Sequence, residues 1–404
     1  MATPLRLGIL VSHPIQYYSP WFRFLANRLD LEVFYAHRQD AGGQAEAGFG
    51  VAFEWDTPVL EGYPYRWLHN VARSPGVGSF GGCDTPEMYR ILARERFDAF
   101  LVIGWNHKSA IQAILACRQN GVPVLMRGDS QLRTKRSSWR RTMKYLPYRY
   151  LLPRLDAHLY VGQRNLEYLR HYGVPDERLF FAPHCVDNAF FISRAECARR
   201  DGTRLNLRRS LGIAPDDFLA LFVGKLIEKK RAADFIAACG RIEATSPGRR
   251  LHGVLVGDGP LRGRLETLAR PWAERIHFAG FHNQSELPAW YAAADALLLC
   301  SDASETWGLV VNEAMACGLP VVASEAAGCS PDLIEPGRTG YTYPLGDVQA
   351  IAARLCDMDR AARRDPAELQ RSLAEKMAKY DFDRAAQGLE AAVTAVAARK
   401  GGSS

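Results

Sequence analysis

The sequence lacks any apolar run near the ~18 residues a membrane-spanning helix needs, so no segment is expected to cross a bilayer. Its nine cysteines, an odd number between Cys83 and Cys356, show no CxxC or CxH spacing. Neither a disulfide framework nor a zinc site is expected, and the thiols read as reduced. The first residues, Met1-Ala2-Thr3-Pro4-Leu5-Arg6, have no basic segment followed by a long apolar one, so the expected location is cytoplasmic. HExxH, P-loop and GxSxG patterns are missing, and no internal repeat is found. Helix-turn-helix, zinc-finger and RNA-binding sheet patterns are missing too, so nucleic acid is not an expected partner.

What is present is a chain of 404 residues, 48% hydrophobic and 24% charged. That is too long for one ordinary core and suits two domains. The net charge of +7 is local: residues 130–155 hold eight basic residues and no acid, leaving 43 basic against 44 acidic residues elsewhere. Arg133, Lys135, Arg136, Arg140, Arg141, Lys144, Arg149 and Arg154 are interleaved there with Trp139, Tyr145, Tyr148 and Tyr150. Such a stretch suits an anionic surface, namely a membrane or a lipid-linked acceptor, or else a solvated face. Pro147 and Pro153 are expected to interrupt a long helix in it.

Short apolar runs alternate with helical patterns, the pattern of parallel α/β units. Strands are expected at 5–11, 31–35, 99–103, 123–126, 158–161 and 179–181, then at 219–223, 253–256, 276–278, 296–299 and 320–323. The arginine-rich piece 193–204 reads as an interdomain linker and the alanine-rich tail 380–399 as a helix. Two doubly wound domains predict a ligand crevice at the carboxyl ends of the strands, between the domains.

Several motifs are weak. Gly76-Val77-Gly78-Ser79-Phe80-Gly81 spells GxGxxG but follows a turn, not a strand, and reads as a loop. Asp357-Met358-Asp359 spells a DxD at the end of a helix and reads as surface acidity. The second half carries more. Gly224-Lys225-Leu226-Ile227-Glu228-Lys229-Lys230 places cations on a strand-end turn, where they can neutralise a diphosphate leaving group. Val256-Gly257-Asp258-Gly259-Pro260 is a tight turn opening a helix. After strand 296–299, Glu305 sits in a loop and Glu313 about two turns on, with Thr306 and the amides of Trp307, Gly308 and Leu309 between them. A carboxylate accepts two hydrogen bonds from a vicinal diol, so Glu305 suits sugar hydroxyls and Glu313 a ribose. Glu313 lies in an apolar run, where a carboxylate without a partner would be costly.

Residues 219–345 resemble the donor-binding domain of family-four retaining glycosyltransferases. The likeness rests on Gly224-Lys225-Leu226 with Lys230, the Gly257-Asp258-Gly259-Pro260 turn, and the EX7E pair Glu305 and Glu313. The run Glu313-Ala314-Met315-Ala316-Cys317-Gly318-Leu319-Pro320 extends it. Weaker matches are His13-Pro14-Ile15-Gln16-Tyr17 and Pro183-His184-Cys185-Val186-Asp187. The resemblance implies an α/β fold of two Rossmann-like, doubly wound domains facing a central cleft (GT-B). Residues 1–192 would bind the acceptor and 193–379 the nucleotide sugar, with helix 380–399 packing back on the first domain. It implies transfer of a sugar from a UDP- or GDP-sugar, with retention and without metal or other cofactor. The acceptor hydroxyl would belong to a glycan, lipid-linked or small-molecule acceptor; independently of the resemblance, the basic residues 130–155 are expected to contact anionic membrane or a lipid-linked acceptor.

Within that resemblance Lys225 and Lys230 would grip the diphosphate, Glu305 the sugar and Glu313 the ribose. Gly280, Phe281 and His282 lie where the base is held. The family's frequent Gly-Gly after strand one is replaced by Gln16 and Tyr17, and its frequent histidine after strand 123–126 by Asp129. Asp129 would take a sugar hydroxyl or face developing positive charge. His13, Gln16, Tyr17, His107 and Arg127 are the acceptor-side candidates. The rival readings are another GT-B activity, an epimerase or hydrolase, or a nucleotide-sugar binding protein without turnover.

Overall fold

The computed structural model describes residues 5–44, 50–134, 138–246 and 248–401. Lys135 and Arg136 of the basic stretch, and residues 1–4, lie outside the described residues. The first sheet contains β1 (Arg6–Val11), β2 (Asp30–Tyr35), β3 (Tyr65–Trp67), β4 (Ala99–Ile103), β5 (Val124–Gly128), β6 (Ala157–Tyr160) and β7 (Leu179–Phe181). Their order is β3-β2-β1-β4-β5-β6-β7, every pair parallel. The second contains β8 (Phe218–Val223), β9 (Ala244–Ser246), β10 (Arg249–Val256), β11 (Ile276–Gly280), β12 (Ala296–Leu299), β13 (Val321–Ser324) and β14 (Gly340–Tyr343). Its order is β11-β10-β8-β12-β13-β14, all parallel, with β9 antiparallel on β10. In both sheets the order reverses beside the first strand, between β1 and β4 and between β8 and β12. A doubly wound sheet opens its ligand crevice at that reversal.

Helices cover both faces of each sheet, so the central strands are apolar throughout; all six residues of β8 are buried. In the first domain one core includes Trp21, Phe22 and Leu25 from the helix Tyr18–Ala26, with Ala385, Leu389 and Val393 from the helix Phe382–Gly401. That last helix therefore lies on the first sheet, although the helices before it pack on the second. The chain crosses between domains near residues 182–188 and again near 377–382. The two crossings touch, since Asn188 Nδ2 donates to the carbonyls of Met377 and Tyr380 at 3.2 and 3.4 Å.

Three expectations need correction. The polar stretch 193–204 is not a linker: most of it belongs to the helix Asn188–Arg200, whose Phe191, Ala195 and Ala198 are buried in the second core. Arg194 and Arg200 are exposed, while Arg199 donates to the Cys317 carbonyl and Arg204 is half-buried. Asp359 is not surface acidity; it is fully buried and ion-paired with Arg249, and Ser246 Oγ donates to it at 2.9 Å. Pro147 does not stop the helix Ser138–Leu151. A proline there removes one amide, whose acceptor would be the carbonyl of Met143 on the exposed face, where water replaces it. Pro153 opens the following 3₁₀ turn Leu152–Arg154, a place where a missing N–H costs nothing.

Candidate functional site

On the second-domain side Lys225, Lys230 and Glu305 stand on turns leaving the carboxyl ends of strands, and Glu313 on the helix Val310–Ala316 that follows one of them. The turns after β8 and β10 are stitched together, Gly224 N donating to Val256 O at 2.9 Å and Leu226 N to Asp258 O at 2.8 Å. The stitching demands glycine at 257, where φ is +137° and a Cβ would sit 2.0 Å from the Gly224 carbonyl oxygen. The β8 turn is also tied to the β12 loop, since Asp302 N donates to Lys229 O at 2.9 Å. These ties bring Lys225, Lys230, Glu305 and Glu313 to one wall of a cleft of about 420 Å³. Gln16, Tyr17 and Asp129 of the first domain line the opposite wall.

The Lys230 ammonium pairs with the Glu305 carboxylate, and both side chains are nearly buried. Ser301 Oγ donates to Glu305 at 3.1 Å. Burial by itself would raise the Glu305 carboxyl; the Lys230 and Lys229 ammonium groups and these hydrogen bonds outweigh it and hold the carboxyl below its usual range. Burial lowers Lys225 to about 8, assisted by Lys229 and Lys230 and opposed by Glu305. Glu313 is raised to about 7 by burial, against the hydrogen bond from Tyr291 Oη at 2.5 Å and the field of Lys230. The helix carrying Glu313, Val310–Ala316, has only seven residues. The lysines, not its dipole, therefore dominate the positive charge of this wall.

Thr306, Trp307, Gly308 and Leu309 line the cleft, as do Phe281 and His282. Gly280 ends β11 and gives its carbonyl to Gly257 N at 2.7 Å; it is not part of the wall. Asp129 reaches across, its Oδ2 accepting from Thr306 Oγ1 at 2.5 Å. The structure does not bring His13, His107 or Arg127 to the cleft. His13 contacts Ser12 Oγ at 2.9 Å, and burial, with His37 and His107, lowers it to about 4. His107 Nδ1 contacts the Ser79 carbonyl at 3.1 Å, and Gly76–Gly81 is a loop with no part in the cleft. Arg127 is buried under Trp21, donating to the carbonyls of Ala182 and Pro183 at 2.5 and 2.9 Å, and so fixes the first domain crossing.

Sequence reasoning missed His184 as a site residue. It is buried in the cleft wall, its Nε2 4.0 Å from Asp129 Oδ2 and its ring 5.7 Å from Trp307. Burial and the nearby Arg127 push it well below the usual histidine range, so it is neutral. Its signal was the quoted Pro183-His184-Cys185-Val186-Asp187 segment, where the family commonly has asparagine. Trp55 was missed too, and lines the cleft from the first domain.

Further cross-domain bonds hold the walls together. Gln131 Nε2 donates to the carbonyls of Ala303 and Glu305, each at 3.0 Å. Arg164 donates to the carbonyls of Ala326 and Glu325, and Gln163 N to the Asp332 carboxylate.

Residues 217–359 match the family model for glycosyl transferases group 1. WcaL of Salmonella typhimurium, named for a glycosyltransferase role in colanic acid biosynthesis, is 30% identical over 250 residues, 60% of this chain and 57% of its own. The N-acetyl-alpha-D-glucosaminyl L-malate synthase of Bacillus anthracis is 29% identical over 196 residues, 48% of each chain. The chain spans about half the length of the curated relatives it matches. Among solved structures, HepE of Anabaena in complex with UDP superimposes with a TM-score of 0.70 at 18% identity, over 97% of this chain and 100% of that one. The fold is GT-B, and the resemblance to family-four glycosyltransferases holds.

Proposed function

We propose that this GT-B chain, whose second domain is of the glycosyl transferases group 1 type, moves a sugar from a nucleoside diphosphate donor to a hydroxyl acceptor with retention at the anomeric carbon. The observation that carries the reading is the convergence of Lys225, Lys230, Glu305 and Glu313 on one interdomain cleft. Lys225 and Lys230 would bind the diphosphate of a UDP- or GDP-sugar and stabilise the charge that grows on it as the glycosidic bond breaks. Glu305 would accept from the sugar hydroxyls and Glu313 from the ribose. The acceptor hydroxyl would enter past Gln16, Tyr17 and Asp129 and attack from the face the diphosphate leaves. Its proton would pass to a diphosphate oxygen, a route that uses no enzyme nucleophile, with Lys225 and Lys230 supplying the countercharge. Asp129 would face the positive charge that develops on the sugar ring, and neutral His184 beside it would leave that carboxylate's charge intact.

NMR of reactions with UDP- and GDP-sugars and a hydroxyl acceptor panel tests this. Transfer with the donor's anomeric configuration kept is expected. Free sugar or an epimer without transfer supports the rival enzyme activities, and binding without turnover a non-catalytic protein.

The basic segment supports a peripheral site of action on the cytoplasmic face of a membrane. Among the described residues no helix is long and apolar enough to cross one. The helix Ser138–Leu151 is instead two-faced. Tyr145 and Tyr148 pack inward on Tyr172 and Trp105, at ring separations of 5.9 and 4.4 Å. Trp139, Met143, Leu146 and Tyr150, at i, i+4, i+7 and i+11, form an outward stripe in which each residue is 60–74% exposed. Lys144 and Arg149 are exposed beside it. An apolar stripe flanked by cations, on a segment without acids, fits the headgroup region of an anionic bilayer.

A further inference from the structure

The cleft has a wall that neither donor motif nor acceptor motif supplies. Residues 50–57 of the first domain leave their own sheet and lie along the second domain. A Cβ built on Gly50 would sit 3.1 Å from Gly259 Cα, so the two backbones are in contact. The Phe53 ring lies 4.4 Å from Phe281, and Trp55 stands edge-on to Phe53 at 4.8 Å. Asn283 Nδ2 donates to Glu54 O at 2.7 Å, Ser285 N to the Asp56 carboxylate at 3.2 Å, and Thr57 Oγ1 to Gln284 Oε1 at 3.0 Å. Beyond residue 57 the chain is fixed to the first domain again, where Ser19 Oγ donates to Val59 O at 2.7 Å and Arg23 to Pro58 O at 3.1 Å.

Exposure alternates along this strap. Val51, Phe53, Trp55 and Thr57 are half-buried, while Ala52, Glu54 and Asp56 face solvent. The strap thus presents one face to the donor domain as a strand would, though it pairs with no strand. Trp55 lines the cleft together with Phe281, His282 and Gln284. On the reading above the lysines and Glu305 take the diphosphate and sugar, which leaves the aromatic group Phe53, Trp55 and Phe281 at the turn after β11 for the nucleoside.

We propose that Trp55 is a donor-binding residue supplied by the acceptor-side domain, packing its indole against the nucleobase opposite the Phe281–Gln284 turn. The proposal rests on the nucleotide-sugar reading above. An aromatic face suits any base, because every base has a π surface. The strap then makes full donor affinity depend on both domains at once, since its indole reaches the site only while Asn283, Gln284 and Ser285 hold it.

Titration calorimetry on the whole protein with UDP, GDP and inorganic pyrophosphate tests it, using wild type, Trp55→Ala, Trp55→Phe and Asp56→Ala. Trp55→Ala is expected to weaken the preferred nucleoside diphosphate about ten- to a hundredfold. Trp55→Phe should recover most of that, and Asp56→Ala, which frees the strap, should fall between. Pyrophosphate, which reaches only the lysine end, should bind all four proteins alike and so report that the site is folded. Nucleotide affinity unchanged in Trp55→Ala overturns the proposal and leaves the nucleotide-sugar reading standing. An equal loss of pyrophosphate in Trp55→Ala overturns it as well, because the defect is then general. A wild-type protein that binds neither nucleotide overturns both readings.

Discussion

Tyr291 and Glu313 form a closed pair: from the helix Leu287–Ala293 the fully buried phenol donates to the carboxyl at 2.5 Å. The tyrosine partner lets a carboxyl sit inside an apolar segment. It leaves the group able to gain or lose a proton near neutrality, at about 7.

That value sets a pH profile. Glu313 must be ionised to accept from ribose hydroxyls, and Lys225, at about 8, must be protonated to hold a diphosphate. kcat/KM for the donor, which reports the free enzyme, should rise through about pH 7 and fall through about pH 8. Glu313→Gln should remove the acid limb and Lys225→Arg should move the alkaline limb out of range, at some cost in peak rate. Stopped assays from pH 5.5 to 9.5 check both limbs.

Stability should carry the same signature with the opposite sign on the acid side. The folded Glu313 value lies above the 4.5 of a free glutamate carboxyl, so the native state holds more protons between the two. Its contribution is complete below about pH 4.5 and is lost as pH rises through about 7. Urea midpoints of wild type should decline over that range relative to Glu313→Gln.

The Lys230–Glu305 pair should separate stability from catalysis. Either Lys230→Met or Glu305→Gln is expected to lower kcat/KM by about 10²–10³-fold. Each single change strands or weakens the charge of its partner and should destabilise by about 3 kcal/mol at most. The double variant should regain much of that stability and none of the activity, read by chemical denaturation beside turnover.

Across the cleft, Asp129→Asn and Thr306→Val should be non-additive. Their hydrogen bond at 2.5 Å joins the two domains, so a double-mutant cycle on the unfolding free energy should return a coupling of about 0.5–1.5 kcal/mol. Additive values would mean that the two domains close without this contact.

Membrane docking should follow both halves of the helix Ser138–Leu151. Sedimentation with vesicles should increase with the anionic lipid fraction and fall between 50 and 500 mM salt, about the concentrations over which screening sets in. Leu146→Asp and Trp139→Ser should abolish it while leaving turnover of a water-soluble acceptor unchanged. Binding indifferent to lipid charge would remove this surface from the functional account.

The parts of the fold that could be read in advance are those where local pattern and burial agree. Strands such as β8 and β12 are short apolar runs ended by glycine or polar turns, and the turns after them carry Lys225, Lys230 and Glu305 on the same chain segments that place them. β3 and β14 escaped notice because Tyr65–Trp67 and Gly340–Tyr343 are three and four residues long, polar in part, and take their strand character from a neighbour. Arg127 looked like a cleft residue because it ends a strand near Asp129, yet side chains alternate along a strand and its own points into the core. Asp359 looked solvent-facing because its partner Arg249 is 110 residues away. His184 and Trp55 depend wholly on how the two domains meet, which no local pattern encodes. The alternation of Val51 to Thr57 was visible, but the surface it faces was not.

The adjacency of the two interdomain crossings restricts how the halves can move. A body tethered at two neighbouring points swings about the axis through them, like a door, and resists twisting or drifting sideways. Asn188, bonded to Met377 and Tyr380, sits on that axis. Rotation about that axis would have to break the Gln131, Arg164 and Asp129 contacts together with those of the strap.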